Sequence, residues 1–126
     1  MIYYSDGFTI YSNPSKFGGG YTIIDENNIL IKREVIKRSW FSNNDGEFLG
    51  LLEACRLAEE NDTIIVDSYV ALAWATKGKS KARKDLNSLC LEAKTLILFK
   101  NLEIRLLPRE ENLAGFYNEE HPQSQF

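Results

Sequence analysis

The sequence predicts an α/β fold, a mixed five-stranded sheet with helices on both faces. Three strands come first, followed by a helix, a strand, further helices, a strand and a last helix. Strands four and five each follow a helix, which places them parallel to strand one through right-handed crossovers. Strands one to three follow one another through short connections, which predicts that they are antiparallel. A length of 126 residues allows one domain with a single core.

The first three strands are predicted from short apolar runs separated by turn residues. The run from Ile2 to Ser5 ends at Asp6-Gly7, which predicts a strand followed by a turn or bulge. The second strand covers residues 21–24 and the third covers residues 29–38. The glycines at 18–20 indicate hairpin geometry rather than a phosphate cradle, because neither a helix nor a P-loop lysine follows them.

Helices and strands alternate in the remainder of the chain. Apolar residues at helical spacing predict a helix led by Glu47 and ending near Asn61. The later elements are a strand over 63–66, a short helix from 69, a helix over 86–97, a strand over 102–107 and a helix over 112–120. Residues 1–120 are expected to form the domain and residues 121–126 a polar tail.

The composition is that of a globular protein and excludes several classes. The apolar runs are too short to cross a bilayer, and no basic region precedes an apolar one at the amino terminus, so a cytoplasmic monomer is expected. Cys55 and Cys90 lie on apolar faces of predicted helices, which indicates buried free thiols. A single histidine excludes zinc sites built from several histidines.

A basic segment stands out in a chain whose net charge is −3. It contains Lys77, Lys79, Lys81, Arg83 and Lys84. Such a segment is either a solvated loop or a local contact for nucleic acid, and the residues alone leave both interpretations open.

Three acidic residues are expected to meet at one edge of the sheet. Asp6 and Asp67 follow strands one and four, and Glu47 lies in the first turn of the helix before strand four. Carboxylates that lie so close together repel one another and raise each other's pKa. The arrangement therefore needs a cation. Oxygen ligands favour magnesium or manganese, and two such ions about 4 Å apart can promote hydrolysis of a phosphodiester.

The motifs around these acids together resemble ribonuclease H type 1 and its relatives. The resemblance covers about residues 2–116. Its motifs are Tyr4-Ser5-Asp6-Gly7, Asn13-Pro14, Gly19-Gly20-Tyr21, Ser42-Asn43-Asn44-x-x-Glu47-Phe48, Ile65-Val66-Asp67-Ser68-x-Val70 with Trp74, and Arg109-x-x-Asn112.

The resemblance implies an endonuclease that cuts the RNA strand of an RNA/DNA hybrid with two Mg²⁺ or Mn²⁺ ions. Asp6, Glu47 and Asp67 match three of the family's four metal-binding acids. An asparagine amide can meet the RNA 2′-hydroxyl, and lysines can hold phosphates without reading bases. The implied substrate-binding residues are Asn43, Asn44, Trp74, Lys77, Lys79, Lys81, Arg83 and Lys84.

The fourth acidic position departs from the family pattern. Phe116 stands four residues after Asn112, or Gly115 takes the position if Ala114-Gly115 is aligned with the family's Ala-Asp pair. Neither side chain can bind a metal, so the second ion is expected to bind weakly. Glu119, one helical turn beyond Gly115, is the candidate fourth ligand. The family's loop histidine is also missing, and His121 is assigned to the tail.

Four interpretations follow. The first is an active nuclease, and the alternative is a catalytically impaired module that binds hybrid or other nucleic acid. A nuclease of the same fold that acts on DNA and a purely structural protein are the others. The empty fourth position favours the impaired module, whereas the intact set of three acids favours the nuclease.

Overall fold

The computed structural model describes residues 1–122, and its sheet has the predicted mixed topology. The strand order is β3-β2-β1-β4-β5; β1 to β3 are antiparallel, and β4 and β5 run parallel to β1. The predicted fold class is thereby confirmed. Short 3₁₀ turns at Lys84–Leu86 and Arg109–Glu111 precede the last two helices. The elements are β1 (Ile2–Thr9), β2 (Gly19–Asp25), β3 (Leu30–Ile36), α1 (Asn43–Leu57), β4 (Thr63–Val66), α2 (Tyr69–Lys77), α3 (Asn87–Phe99), β5 (Glu103–Leu106) and α4 (Leu113–Glu120).

Helices cover both faces of the sheet, as adjacent residues of β1 show. Ser5 points towards α1, where a Cβ on Gly50 would lie 2.5 Å from its Oγ. Asp6 points the other way, towards α4 and the side chain of Asn118. The main core lies on the α1 side, where α2 and α3 pack against α1. Cys55 and Cys90 are buried there as free thiols, which confirms that prediction.

Strand β1 is longer than predicted. Asp6-Gly7 makes no turn, because the strand continues to Thr9 along its antiparallel neighbour β2. The parallel ladder with β4 stops earlier, at Tyr4 opposite Ile65. Asp6 therefore sits within β1 but beyond the end of the β4 ladder. Strand β2 likewise begins at Gly19, in the glycine-rich stretch predicted as a loop.

Helix α1 begins earlier and ends earlier than predicted. Ser42 caps it: its hydroxyl accepts from the Asp45 amide, while the Asp45 carboxylate accepts from the Ser42 amide. The first-turn acid is therefore Asp45, and Glu47 follows it further along the helix. The helix ends at Leu57, where the backbone turns extended at Ala58. The ammonium of Lys100 donates to three carbonyl groups at this end.

The amino-terminal end of α1 touches the sheet backbone directly. A Cβ on Gly7 would lie 2.3 Å from the Glu47 nitrogen, and one on Gly46 would lie 2.5 Å from the Gly20 oxygen. Both distances are shorter than any side chain tolerates. Glycine at these positions therefore sets how closely α1 approaches β1 and β2, and it brings Glu47 beside Asp6.

Two remaining predictions concern the membrane and the tail. No helix in residues 1–122 has both the length and the apolar character needed to cross a bilayer. Of the predicted tail, His121 follows α4 and its imidazole stacks on Tyr117 with centroids 4.0 Å apart. Residues 123–126 lie outside the described part of the chain.

Candidate metal centre

Three carboxylates from three elements meet at one edge of the sheet. Asp6 comes from β1, Asp67 directly follows β4, and Glu47 comes from α1. One carboxylate oxygen from each lies within 4.8 Å of the others. The convergence expected from parallel strands one and four is what the structure shows, with Glu47 placed by the glycine contact described above.

Each acid keeps one buried oxygen without a hydrogen-bond partner in residues 1–122. These oxygens are Asp6 Oδ1, Glu47 Oε2 and Asp67 Oδ2. A buried carboxylate oxygen with no donor is costly, since it has lost its water and gained nothing in exchange. Each of the three acids therefore has one oxygen to which no group in residues 1–122 donates a hydrogen bond.

Burial and mutual repulsion raise the pKa of two of these acids. Burial raises the pKa of Glu47 well above its ordinary value, and the charges of Asp6 and Asp67 raise it further. Burial and the Asp6 charge raise the pKa of Asp67 to about 6, although the nearby Arg109 opposes this shift. A cation among the three oxygens would reverse both shifts.

The donor set fits a hard divalent cation. The three unpartnered atoms are all carboxylate oxygens, and the cluster contains neither a thiol nor an imidazole. Mg²⁺ and Mn²⁺ prefer such ligands, whereas zinc sites in proteins use nitrogen and sulfur more often.

Gly115 occupies the position that faces the acids on the α4 side. A Cβ built on Gly115 would lie 3.7 Å from Asp6 Oδ2, an ordinary contact. Phe116 instead is 42% exposed and lines a groove on the outer side of α4. On α4 it is therefore Gly115, and not Phe116, that lies next to Asp6.

Glu119 lies outside the group of acids that the geometry identifies. Its side chain is 59% exposed, and its Oε1 is 3.5 Å from Nε of Arg109. An exposed carboxylate paired with a surface arginine is not held towards Asp6. The helical turn that separates Glu119 from Gly115 carries it to the rim of the site rather than into it.

Asn118 is a site residue that the sequence did not reveal. Its Nδ2 donates to Asp6 Oδ2 at 2.9 Å, and its Oδ1 accepts from the Thr22 hydroxyl at 2.5 Å. Gly115 and Asn118 are three residues apart and share a helix face. That spacing was the available signal, but an amide does not fit the pattern of a fourth acid.

Arg109 is the second residue that the sequence left without a role. It follows Pro108 in the loop where the resemblance leads one to expect a histidine. The charges of Asp6 and Asp67 act on it, and burial acts in the opposite direction; the net effect raises its pKa. Arg109 thus places a permanent positive charge beside the carboxylates.

A cavity of about 350 Å³ adjoins the acids. Asn43, Arg109 and Asn118 are among its lining residues, together with Gly7 of β1. Asn44 follows Asn43 in the first turn of α1, and its side chain is exposed. Asn43 therefore borders this cavity, whereas Asn44 is not among its lining residues.

The basic segment lies between α2 and α3 and divides into two parts. Lys77, Lys79 and Lys81 line a cavity of about 330 Å³ with Trp74 and the exposed Tyr69. Trp74 is half-buried and packs edge-on against Phe48, with ring centroids 5.9 Å apart. Lys84 is exposed at the following 3₁₀ turn.

Arg83 differs from the lysines because it pairs with acidic groups of this chain. Its guanidinium contacts the buried Asp45 carboxylate and also binds Asp85 with two hydrogen bonds. Arg38 contacts the other Asp45 oxygen at 3.4 Å. Arg83 thus fastens the basic segment to the cap of α1.

Solved structures of ribonuclease H proteins are similar to this one. The chain is 19% identical to the N-terminal ribonuclease H domain of a Mycobacterium tuberculosis protein, solved as a fusion with maltose-binding protein; 90% of each chain is covered and the TM-score is 0.60. For ribonuclease H1 of the halophilic archaeon Halobacterium salinarum the identity is also 19%, with a TM-score of 0.62 over 90% of this chain and 89% of that one. No family model and no curated protein matches the sequence. The likeness shows that this chain has the ribonuclease H fold.

Proposed function

We propose that this chain, with its ribonuclease H fold, is an endoribonuclease that hydrolyses the RNA strand of RNA/DNA hybrids. One observation carries the proposal: Asp6, Glu47 and Asp67 bring one carboxylate oxygen each within 4.8 Å of one another at the edge of this fold, and each acid also keeps a buried oxygen without a hydrogen-bond partner in residues 1–122. A structural role would not explain why two buried acids and a partly buried third are placed against one another.

The three acids would hold a divalent ion, Mg²⁺ or Mn²⁺. Bound there, the ion supplies a Lewis acid that neutralises charge on a phosphodiester and promotes attack by water. A second ion would bind more weakly, since Gly115 offers no ligand on the α4 side. Arg109, whose charge interacts with Asp6 and Asp67, would stabilise negative charge on the phosphate.

The neighbouring surfaces would hold the two strands of the hybrid. Asn43 and Asn44 would contact the RNA next to the cut, where an amide can hydrogen-bond a 2′-hydroxyl. The lysines after α2 would contact phosphates of the DNA strand, and Trp74 would support that surface from below.

The proposal is tested by incubating the protein with end-labelled RNA/DNA hybrid, all-DNA duplex and all-RNA duplex in Mg²⁺ or Mn²⁺. Cleavage of the hybrid's RNA strand alone is expected. Asp6→Asn should abolish cleavage, while Glu60→Gln, at an exposed acid that precedes β4 whereas Asp67 follows it, should retain it. Cleavage of the all-DNA duplex instead would replace the proposal by a DNA nuclease.

A second candidate is a module that binds hybrid without cutting it. Gly115 at the fourth position and the amide of Asn118 against Asp6 favour it, because neither supplies a fourth acid. Tight hybrid binding without cleavage by folded protein at millimolar Mn²⁺ would support this candidate and reject the nuclease.

A further inference from the structure

A chain of hydrogen bonds connects β3 to Asp6 through β2 and α4. Arg33 Nε donates to Thr22 Oγ1 at 3.1 Å, and Thr22 Oγ1 lies 2.5 Å from Asn118 Oδ1. Asn118 Nδ2 then donates to Asp6 Oδ2 at 2.9 Å. Thr22, Asn118 and Asp6 are buried, so these bonds form where water competes little.

The chemistry of the donors fixes the direction of these hydrogen bonds, from Arg33 to Asp6. A guanidinium can only donate, so the Thr22 oxygen must accept from Arg33. The one hydroxyl hydrogen of Thr22 is then directed to Asn118 Oδ1. With its oxygen occupied, the Asn118 amide turns its NH₂ group towards Asp6, which is an acceptor when ionised.

Arg33, the first donor, is held firmly in place. Its guanidinium carbon lies 4.5 Å from the ring centroid of Phe8 and 5.5 Å from that of Tyr117. Its Nη2 donates to the backbone oxygen of His121 at 2.8 Å. Arg33 therefore ties β3 to β1 and to the end of α4, and the Thr22 hydroxyl has a fixed partner.

The chain of hydrogen bonds ends at Asp6, whose two carboxylate oxygens have different surroundings. Oδ2 is held by Asn118, while Oδ1 is buried and has no hydrogen-bond partner in residues 1–122; Asp6 itself is one of the three converging acids. A carboxylate bound at one oxygen is fixed in rotation, and the other oxygen is presented in a constant direction.

We propose that Asn118 is a positioning residue that directs Asp6 Oδ1 to the metal centre, and that Thr22 and Arg33 orient its amide. The inference rests on the proposed metal-dependent function. In this proposal α4 contributes a neutral hydrogen-bond donor that orients a metal ligand, rather than an acid that is itself a metal ligand.

The test measures the dissociation constant of Mn²⁺ by electron paramagnetic resonance on the folded, metal-stripped protein. Thr22→Val removes the hydroxyl at nearly constant volume, and Thr22→Ser keeps it. Thr22→Val and Asn118→Ala should each weaken Mn²⁺ binding about tenfold. Thr22→Ser and the exposed α4 variant Glu120→Gln should bind as the wild type does.

A second readout needs no metal. In ¹⁵N-labelled protein the side-chain NH₂ of Asn118 should exchange slowly with solvent in the wild type and in Thr22→Ser, and faster in Thr22→Val. Circular dichroism verifies the fold of each variant, and if Asn118→Ala does not fold, the Thr22→Val and Thr22→Ser pair decides.

The outcomes separate this inference from the function on which it rests. Wild-type protein that binds no Mn²⁺ overturns both. Wild-type binding that Thr22→Val and Asn118→Ala leave unchanged overturns the positioning role alone. A loss in Thr22→Val that Thr22→Ser shares would also overturn it, because the hydroxyl would not be the cause.

Discussion

Glu47 is the residue whose environment conflicts most with its charge. It is buried, one of its oxygens has no partner in the described chain, and two other acids adjoin it. Burial and repulsion thus disfavour its ionised form and raise its pKa in the metal-free protein, as expected for a residue kept for function rather than for stability.

Glu47→Gln is therefore expected to stabilise the metal-free protein. At pH 7.5 the free energy of unfolding in urea should rise by about 1–3 kcal/mol, because the amide does not bear the cost that burial and two neighbouring acids impose on this carboxyl group, and it can donate to those neighbours. The same variant should lose Mn²⁺ binding. A Glu47→Gln protein that is less stable than the wild type without metal would show that the carboxylate has a structural partner. Glu60→Gln serves as the exposed control.

Gly115 is the residue at which a fourth acid can be introduced. A Cβ added there would have its nearest neighbours at 3.7–3.8 Å, so a side chain fits without displacing the backbone. Gly115→Asp should strengthen binding of a second Mn²⁺ ion, measured as a rise in stoichiometry at fixed metal concentration. Gly115→Asn has nearly the same volume and no charge, and it should leave the stoichiometry unchanged. An equal Mn²⁺ stoichiometry in the two variants would argue against position 115 as the place for a fourth metal ligand.

The basic segment between α2 and α3 has two roles. Arg83 reaches the buried Asp45 in the cap of α1, whereas Lys81 is exposed. The basic segment is therefore attached to α1 through Arg83, while Lys81 contributes to an exposed charged surface.

Arg83→Gln and Lys81→Gln should separate these roles. Arg83→Gln leaves the buried Asp45 carboxylate with less compensation, and should lower the free energy of unfolding by about 1–3 kcal/mol. Lys81→Gln should change stability by less than about 0.5 kcal/mol. It should instead weaken hybrid binding and reduce the salt dependence of the affinity by about 0.9 per lost phosphate contact. The opposite result would make Arg83 the substrate contact.

The contact of α1 with the sheet predicts the effect of a single methyl group. In Gly46→Ala the new Cβ would meet the Gly20 oxygen, so α1 must move away from β1 and take Glu47 with it. Stability should fall by about 1–3 kcal/mol despite the better helix propensity of alanine, and Mn²⁺ affinity should fall too. Asn44→Ala, in an exposed position of the same helix, should keep both.

The acidic cluster links the pH dependence of the whole molecule to its metal. The pKa of Asp67 rises from 3.8 to about 6 on folding, and that of Glu47 rises above 4.5. Between the unfolded and folded values the native state binds more protons, so these two groups make the metal-free protein less stable as pH increases through this range.

Thermal unfolding with and without Mn²⁺ should reveal this linkage. Without metal, the difference in unfolding temperature between Glu47→Gln and the wild type should grow from pH 4.5 to pH 7.5. Added Mn²⁺ should raise the wild-type unfolding temperature at pH 7.5 but not at pH 4, where protons occupy Glu47 and Asp67 because their pKa values are raised. A stabilisation by Mn²⁺ that is equal at both pH values would place the ion elsewhere.

The sequence allowed the sheet topology and the three acids to be predicted, because both depend on the order of elements. Once β1 and β4 are parallel neighbours, Asp6 and Asp67 must emerge at the same edge. The extension of β1 past Gly7 was missed, since turn-forming residues are stabilised there by pairing with β2. The earlier start of α1 was missed because Asn43 and Asn44 are poor helix formers that the Ser42 cap rescues.

Side-chain partners that are distant in sequence could not be predicted. Asn118 and Asp6 are separated by 112 positions, and Arg83 and Asp45 by 38. Periodicity identifies the face of a helix, but it does not identify the residue that faces it across the fold. Each of these pairs became visible only when α4 and the α2–α3 connection were placed on the sheet.

The contact among Gly7, Gly20 and Gly46 also has a consequence for inheritance. Every missense change in these three codons adds at least a Cβ atom at a point where backbone or side-chain atoms already occupy the space. Such changes should be removed by selection as strictly as changes in the acids themselves. In descendants of this gene the three glycines should therefore remain while the surface lysines drift, and distant relatives should be recognised by residues that have no side chain as readily as by those that carry charge.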